Sequence, residues 1–294
     1  MSEKICIITG ANSGIGKAAA IQIAGKGYRV IMACRDRERA ETALVDVREQ
    51  SASEAVEVMI VDMSSQASIH AFASEFNAKY DALDVLIHNA AAFDIRAKTR
   101  RLTEDGVENI WATNHLGPVL LTDLLLEALK RAEQGRVITI SSKGLIAYPF
   151  LKVDLDDPEF ERRKFSVQKA YYQSKLAQVM YTYWLAEQLK DSSITANSIR
   201  VTNVRVDIDA RYPTSSKLMK RMYAIKSSFS ITPEQMAETY TYLATSDEVR
   251  ETSGKYFDDP THIVSSSGYS QDPENIEKVM AMTRSYLKTS AASD

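Results

Sequence analysis

TGANSGIG, residues 9 to 16 of this 294-residue chain, is the strongest indication of its fold. It directly follows a short apolar run, KICIITG, and precedes a helix-like stretch, KAAAIQIAGKG. The missing side chains at Gly10, Gly14 and Gly16 permit a tight turn and let backbone N–H groups approach a pyrophosphate. Glycines also occur in ordinary turns, but the strand before and the helix after favour a dinucleotide site. The other loop residues expected to line that site are Asn12, Ser13 and Ile15.

Apolar, β-branched runs recur along the chain and alternate with longer helix-like stretches. After KICIITG come YRVIMAC, AVEVMIVD, LDVLIHN, RVITISS, ITANSIR and a weaker GKYFDD. Continuous apolarity indicates strands buried on both faces, and intervening helices indicate parallel crossovers. The sequence therefore predicts an α/β fold: a doubly wound (Rossmann) parallel seven-stranded sheet with helices on both faces. No linker-like tract or repeat interrupts residues 1–294, so we expect a single domain.

Polar residues of unusual type follow directly after the first six of these runs. They are Gly10 to Gly16, Arg35, Asp62, Asn89, Ser142 and Arg200. Because ligands bind beyond the carboxyl ends of parallel strands, we expect these groups to line one cleft.

Composition argues against several classes of partner. The 36 Lys and Arg residues nearly balance 39 Asp and Glu, and the charges are scattered, so nothing favours nucleic acid or an anionic membrane. Cys6 and Cys34 lie inside apolar runs and predict buried thiols, and the four histidines show no metal-ligand spacing, so we expect no metal. The start lacks the pattern of a signal peptide, and no apolar run reaches the roughly 20 residues that span a bilayer. We therefore expect a cytoplasmic protein with a small-molecule partner.

The end of the second strand, MACRD, bears on the choice of cofactor. NAD sites usually place an acidic side chain there, whereas an arginine suits the 2′-phosphate of NADP. Cys34 occupies the acidic position and Arg35 follows it, which favours NADP(H), although Arg35 could also be a solvated surface charge. Asp36, twenty residues after Gly16, argues for NAD(H), but it falls past the strand at a helix-starting position.

Asp62 follows the third strand and has two equally supported roles. It could receive an adenine amino group or cap the helix that begins in DMSSQASIHAF. We place Asp62 and the adjacent Met63 in the cofactor site.

AYYQSKLAQ, residues 170 to 178, sets two tyrosines ahead of a lysine in a predicted helix from Gln168 to Lys190. Tyr171 is four residues from Lys175 and Tyr172 is three, so helical spacing leaves both tyrosines open. A tyrosine has an unperturbed pKa of about 10, and a nearby cation is needed to make it a proton donor and acceptor at neutral pH.

Five motifs in order resemble those of the short-chain dehydrogenase/reductase family. They are TGANSGIG, HNAA at 88 to 91, the asparagine of TNHLG at 113 to 117, ITISS at 138 to 142 and YYQSK at 171 to 175. CRD, LDDPEF, QSKLAQ, TPEQMAETYTYLAT and SGKYF are similar to the retinol dehydrogenase-like branch, which mostly uses NADP(H). Many members of that branch carry an N-terminal membrane anchor that is not found in this sequence, so the analogy to retinoid substrates is weak.

The resemblance implies a role for each residue of a catalytic set. Tyr171, the first tyrosine, exchanges a proton with the carbonyl oxygen, and Lys175 lowers its pKa and binds the nicotinamide ribose. Ser142 holds the substrate oxygen, and Ser141 faces the other side of the sheet. Asn114 supports a water chain that leads to the lysine.

The chain departs from the family pattern at two places near the cofactor. Asn89, Ala90 and Ala91 are expected to contact it, with Ala91 in place of a glycine. In RVTNVRVD, after the sixth strand, Val201-Thr202 replaces Pro-Gly and Val206 replaces a threonine. Thr202 and Asn203 are the candidates for a substitute hydrogen bond to the nicotinamide.

Three functions are compatible with these residues. The first is an NADPH-dependent carbonyl reductase, or the reverse alcohol dehydrogenase, on a medium-sized, partly apolar molecule. A segment rich in Met and aromatic residues, about 207–231, is its predicted substrate lid or part of the core. The others are a silent NADP(H)-binding regulatory protein and a reductase of an imine or conjugated alkene. The family commonly forms homo-oligomers, but the C-terminal PENIEKVMAMTRSYL could cover the usual interface.

Overall fold

The computed structural model describes residues 3–205 and 230–288. Within these ranges one eight-stranded sheet has the order β3-β2-β1-β4-β5-β6-β7-β8. The strands are β1 (Ile5–Thr9), β2 (Arg29–Cys34), β3 (Val56–Ile60), β4 (Val85–His88), β5 (Arg136–Ser142), β6 (Thr195–Val201), β7 (Lys255–Asp258) and β8 (His262–Val264).

Helices occupy the connections between the strands. They are α1 (Gly14–Ala24), α2 (Arg37–Ser51), α3 (Gln66–Lys79), α4 (Asn109–Trp111), α5 (Gly117–Arg131), α6 (Val167–Gln188), α7 (Pro233–Thr245), α8 (Gly268–Gln271) and α9 (Pro273–Lys288). A π-helical turn, Ala112–Leu116, joins α4 to α5, and short 3-10 helices cover Lys143–Ala147 and Asp247–Val249.

The predicted doubly wound parallel sheet is confirmed, with one addition. Strands β1 to β7 pair in parallel, whereas β8 pairs antiparallel to β7 and makes the sheet eight-stranded. This strand has only three residues, and His262 and Ile263 are exposed. A strand so short and so little buried at the edge of a sheet leaves no apolar run in the sequence.

The core has a layer on each face of the sheet. In β1, Ile5 and Ile7 pack on the side of α3, α5 and α6, while Cys6 and Ile8 pack on the side of α1, α2 and α7. Since alternate residues of a strand point to opposite faces, burial on both sides explains the continuous apolar runs.

The sheet order changes direction between β1 and β4, which lie side by side although β2 and β3 intervene in sequence. In open α/β sheets this switch point is where ligands bind, beyond the carboxyl ends of the strands. The loops that begin at Gly10 and Asn89 leave the sheet at this point.

Across residues 3–205 and 230–288, no helix is long and apolar enough to cross a membrane. The same ranges hold no group of three or more His, Cys, Asp or Glu residues arranged around a metal position. Cys6 and Cys34 are buried free thiols.

Candidate functional site

The glycine loop is shaped by backbone conformations and contacts that require glycine. Gly10 and Gly14 have left-handed φ values of 66° and 55°. At Gly16 a Cβ atom would lie 2.6 Å from the carbonyl oxygen of Gly10. Ser13 is exposed and its side chain makes no capping bond to α1. The first N–H groups of α1 therefore open outward from a compact loop, as anion binding at a helix N-terminus requires.

Asn89 hydrogen-bonds the backbone at the start of this loop. Its side-chain amide donates to the carbonyl oxygens of Thr9 at 2.9 Å and Gly10 at 3.2 Å. The backbone N–H of Ala90 donates to Thr9 Oγ1 at 3.0 Å, and a Cβ on Gly10 would lie 3.0 Å from the Cα of Ala90. Asn89 and Ala90 thus support the loop directly, while Ala91 is exposed beside them.

The end of β2 carries a buried thiol, an exposed cation and a capping carboxylate. Burial raises the pKa of Cys34 to about 11, against the opposing effect of hydrogen bonds from the backbone of Ala11 and Asn12. The Arg35 side chain is 73% exposed, with Nη1 3.8 Å from Asp62 Oδ2. Asp36 caps α2 and accepts from the backbone N–H of Arg39 at 3.0 Å, as its helix-starting position predicted.

Of the two roles considered for Asp62, the cap of α3 is excluded, and the role in the cofactor site stays a prediction. Ser65 is the cap and accepts from the backbone N–H of Ser68. Asp62 Oδ1 instead accepts from the backbone N–H and the hydroxyl of Ser64 at 2.9 and 2.7 Å, which leaves Oδ2 towards Arg35. The Met63 side chain is buried in the core, so only its backbone is available to a ligand.

Lys175 and the two tyrosines have clearly different surroundings. Lys175 is buried, its Nζ donates to the carbonyl oxygen of Ile140 at 2.7 Å, and burial lowers its pKa to about 8. That Nζ lies 5.7 Å from the centroid of the Tyr171 ring. The Tyr172 ring packs at 4.6 Å from the Tyr148 ring, and burial raises the Tyr172 pKa. The lysine therefore faces Tyr171, and Tyr172 belongs to an aromatic contact beside it.

The two serines at the end of β5 point to different places. Ser141 is buried, donates to the carbonyl oxygen of Lys175 and accepts from the Tyr256 hydroxyl, both at 3.2 Å. Ser142 is partly exposed and accepts from the backbone N–H of Gly144 at 3.2 Å. Of the two hydroxyls, only that of Ser142 is open to a substrate.

Asn114 lies in the π-helical turn, and its side chain is fully engaged. Its oxygen accepts from the backbone N–H of Ala92 at 2.6 Å, and its amide donates to the Ala92 carbonyl and to Ser174 Oγ, both at 3.1 Å. Ser174 in turn donates to the carbonyl of Tyr171 at 2.7 Å. The asparagine thereby ties the loop after β4 to the helix that carries Tyr171 and Lys175.

The loop after β6 is paired where it leaves the sheet. Arg205 N–H donates to the Ile231 carbonyl at 2.8 Å, and Ile231 N–H donates to the Asn203 carbonyl at 3.1 Å. Thr202 directly precedes this pairing. Val206 and all of the predicted lid, about 207–231, except its last two residues lie outside the described residues.

A group of charged residues, of which sequence reasoning singled out Arg200 alone, lies at the ends of β5, β6 and β7. Lys143 Nζ is 3.2 Å from Asp258 Oδ2, to which Arg200 also donates. Burial raises the pKa of Asp258, but hydrogen bonds from Arg200, Asp259 and Lys143 outweigh burial and hold it well below its usual range. Only Arg200 among them was expected at this edge, because the ion pairs join residues distant in sequence.

Comparison with known proteins gives a consistent family. The short chain dehydrogenase family model matches residues 4–152. Retinol dehydrogenase 13 of Homo sapiens is 36% identical over 261 residues, 87% of this chain and 76% of that protein. Retinol dehydrogenase 14 of Homo sapiens is 37% identical over 273 residues, 88% of this chain and 79% of that protein.

Solved structures share the fold. An uncharacterized protein from Mycobacterium Paratuberculosis has a TM-score of 0.74 at 28% identity, covering 98% of this chain and 94% of its own. A short chain dehydrogenase from Shigella flexneri, complexed with NADP, has a TM-score of 0.65 at 22% identity, covering 88% and 97%. At that identity the second structure shows the fold alone.

Proposed function

This chain belongs to the short-chain dehydrogenase/reductase family, in its retinol dehydrogenase branch, and on that premise we propose an NADP(H)-dependent oxidoreductase. It reduces a carbonyl, or oxidises the corresponding alcohol, on a medium-sized, partly apolar small molecule. The family establishes an oxidoreductase with a nicotinamide dinucleotide; the 2′-phosphate, the residue roles and the substrate are the parts proposed.

The glycine loop supports dinucleotide binding at the switch point between β1 and β4. A Cβ on Gly16 would come 2.6 Å from the Gly10 carbonyl oxygen, so the loop backbone packs closely against the start of α1. Residues 13 to 16, which include the start of α1, present backbone N–H groups that suit a pyrophosphate. The residues fit the group. When bound, the nicotinamide supplies a hydride to the carbonyl carbon or accepts one from the alcohol.

Two arginines support NADP(H) over NAD(H). Asp36 is occupied as the cap of α2 and accepts from Arg39 N–H, so it is poorly placed to bind a ribose hydroxyl. Arg35 is exposed at the end of β2, and Arg39, which sequence reasoning missed, stands one turn further along α2. Their guanidinium groups suit a 2′-phosphate.

Tyr171, Lys175 and Ser142 would carry the proton transfer. Tyr171 donates its hydroxyl proton to the carbonyl oxygen as the carbon is reduced. The cation at Lys175, whose Nζ is 5.7 Å from the Tyr171 ring centroid, stabilises the phenolate that remains. Ser142 donates a hydrogen bond to the same substrate oxygen. This lysine–tyrosine contact is the observation that carries the proposal.

An open cleft supports a partly apolar substrate. It measures about 490 Å³ and lies at the N-terminus of α6, where its lining combines the apolar side chains of Ile95, Ala97, Phe165 and Val167 with polar ones that include Lys164 and Lys169. Phe165, Val167 and Ala97 pack in one cluster with Tyr171. The cleft therefore begins about one helical turn from the proposed proton donor.

The cofactor test is a fluorescence titration with NADPH and, separately, with NADH. We expect NADPH to bind at least tenfold more tightly, about 1.4 kcal/mol. Arg35→Ala should remove most of that preference. Arg37→Ala, two residues further on and paired with Glu41 on the surface, should keep it. Equal affinities in the wild type would refute the NADP(H) assignment.

A carbonyl screen with the preferred dinucleotide tests the chemistry. It includes retinal, since relatives carry that substrate class in their names, together with aliphatic and aromatic aldehydes and ketones. Turnover that depends on Tyr171 supports the proposal. Product structures would reveal whether an imine or a conjugated alkene is reduced instead.

A cofactor-binding protein without turnover is the second candidate. The observation that favours it is the loop after β6, where Val201 and Thr202 replace the family's Pro-Gly. Tight NADPH binding without turnover of any carbonyl in the screen would favour this reading over the enzyme.

A further inference from the structure

We propose that Tyr240 is a positioning residue for the phosphate loop and acts through Asn89. This rests on the proposed dinucleotide site. Tyr240 lies in α7, which packs against α1, and its side chain is completely buried. Its hydroxyl donates to Asn89 Oδ1 at 3.3 Å across 151 positions of sequence.

The Tyr240 hydroxyl and the carbonyl oxygens of Thr9 and Gly10 together favour one orientation of the Asn89 amide. An asparagine side chain has one oxygen that accepts and one nitrogen that donates two hydrogens. With its oxygen receiving the Tyr240 hydrogen, its nitrogen must face the carbonyl oxygens of Thr9 and Gly10, at 2.9 and 3.2 Å. The reversed amide would set its own oxygen against both carbonyls, and would leave the Tyr240 hydroxyl facing an N–H group.

The tyrosine remains a donor under all working conditions. Burial raises the pKa of Tyr240 far above neutrality, so its proton stays on the hydroxyl. In the described part of the chain, that hydroxyl donates to Asn89 Oδ1. The bond therefore favours the same orientation of the amide at every working pH.

The loop has little room to absorb a change at Asn89. A Cβ on Gly16 would lie 2.4 Å from Asn89 Nδ2 and 2.6 Å from the Gly10 oxygen, so amide, turn and helix start are packed together. If the amide loses its fixed orientation, the Gly10 carbonyl loses a hydrogen bond and the following N–H groups lose their alignment. The consequence falls first on the binding of the pyrophosphate, because the loop itself carries the N–H groups that would bind it.

Tyr240→Phe tests this with a single atom removed. We expect the Kd for NADPH, from fluorescence titration, to rise three- to tenfold, as expected for the loss of about one hydrogen bond. The effect on kcat at saturating NADPH should be much smaller. Tyr242→Phe is the matched control, because that hydroxyl lies on the same helix and bonds Glu248 at the surface. Its Kd should match the wild type.

A double-mutant cycle shows whether the effect passes through Asn89. Asn89→Ala should weaken binding by itself, and adding Tyr240→Phe to it should produce no further loss. If Tyr240→Phe is partly unfolded, the rise in Tm that saturating NADPH produces reports the same coupling.

Two results would overturn the proposal. One is an unchanged Kd for NADPH in Tyr240→Phe, and the other is an equal rise in Kd when Tyr240→Phe is made in the wild type and in Asn89→Ala. Lower thermal stability with unchanged NADPH affinity would show a purely structural tyrosine. A wild type that binds neither dinucleotide would instead refute the proposed function itself.

Discussion

At the scale of single residues, two adjacent tyrosines of similar burial have different neighbours. The ring of Tyr171 is 4.5 Å from that of Phe93 and faces Lys175 Nζ. Tyr172 packs on Tyr148 and over Gly144, where a Cβ would meet its hydroxyl oxygen at 2.3 Å. Helical spacing allowed either tyrosine to meet the lysine, and the packing of the rings separates them.

Paired substitutions should reproduce this difference in activity. Tyr171→Phe removes the proposed proton donor and should lower kcat at least 100-fold, while the Kd for NADPH stays within about twofold. Tyr172→Phe keeps the ring contact with Tyr148 and should retain most of the activity. Steady-state kinetics and cofactor titration of both variants provide the check. Unchanged turnover in Tyr171→Phe would contradict the mechanism.

Lys175 should make stability depend on pH in the alkaline range. Its folded-state pKa is about 8, below the ordinary 10.5, because burial disfavours the charge. Between these values the unfolded chain binds more protons than the folded one, so stability rises as pH increases. Below about pH 8 both states are protonated and the cost of burying the charge is fully present.

Lys175→Met isolates this contribution. The variant lacks the buried charge, so its free energy of unfolding should exceed that of the wild type at pH 7. This difference should be about 2 kcal/mol smaller at pH 10 than at pH 7. Urea denaturation of both proteins at several pH values measures the difference. A constant difference would mean that the lysine titrates normally in the folded state.

At the scale of elements, helix α9 anchors the segment from Glu108 to Leu116, which includes Asn114, at two points. We call these two contacts the α9 clamp. Thr283 Oγ1 is 2.7 Å from His115 Nε2 in the π-helical turn. The Tyr286 hydroxyl donates to Glu159 at 2.8 Å, and Glu159 accepts from the backbone N–H of Glu108, just before α4, at 2.6 Å. These contacts bind an otherwise unusual π-helical turn to the rest of the fold.

The hydrogen-bond directions at this clamp follow from the threonine. Thr283 gives its hydrogen to the Val279 carbonyl at 2.8 Å, so it must accept from His115 Nε2–H. Thr283→Val keeps the shape but leaves that buried N–H without an acceptor. We expect a loss of about 1–3 kcal/mol in the free energy of unfolding.

Chemical denaturation measures this loss, and Thr283→Ser, which keeps the hydroxyl, should lie much closer to the wild type. Lys278→Gln, on the exposed face of α9 where the lysine pairs with Glu274, is a neutral control. Equal stability of Thr283→Val and the wild type would argue against the clamp.

At the scale of the whole molecule, two buried neutral histidines predict sensitivity to acid. Burial lowers the pKa of both His88 and His115 to about 3. His88 Nε2 lies 2.7 Å from Thr122 Oγ1, which donates its own hydrogen to the Pro118 carbonyl, so this histidine is also a neutral donor. Below pH 6.5 the unfolded chain takes up protons that the folded chain does not. The stabilisation is complete above pH 6.5 and is lost as pH falls towards 3.

His115→Gln should reduce this sensitivity, since glutamine can donate to Thr283 but does not titrate. Between pH 7 and 5, the free energy of unfolding of the variant should decline by about 2 kcal/mol less than that of the wild type. Thermal or urea unfolding across this range checks the slope. Parallel curves would contradict a depressed pKa at His115.

The features that could be predicted from the sequence are local in the chain. The glycine loop, the seven parallel strands, the helix start at Asp36 and the lysine one turn from a tyrosine each depend on residues within a few positions of one another. Strand periodicity, backbone freedom and helical spacing act over such distances, so they can be read without coordinates.

Which of these groups come into contact became clear from the three-dimensional structure. Lys175 faces Tyr171, and Asp62 binds Ser64 instead of capping a helix. Strand β8 is added at the edge of the sheet, and Tyr240 meets Asn89, 151 positions away in sequence. These contacts join residues far apart in sequence or choose between neighbours of equal spacing. Chain order and periodicity do not specify such contacts, because packing of whole elements sets them.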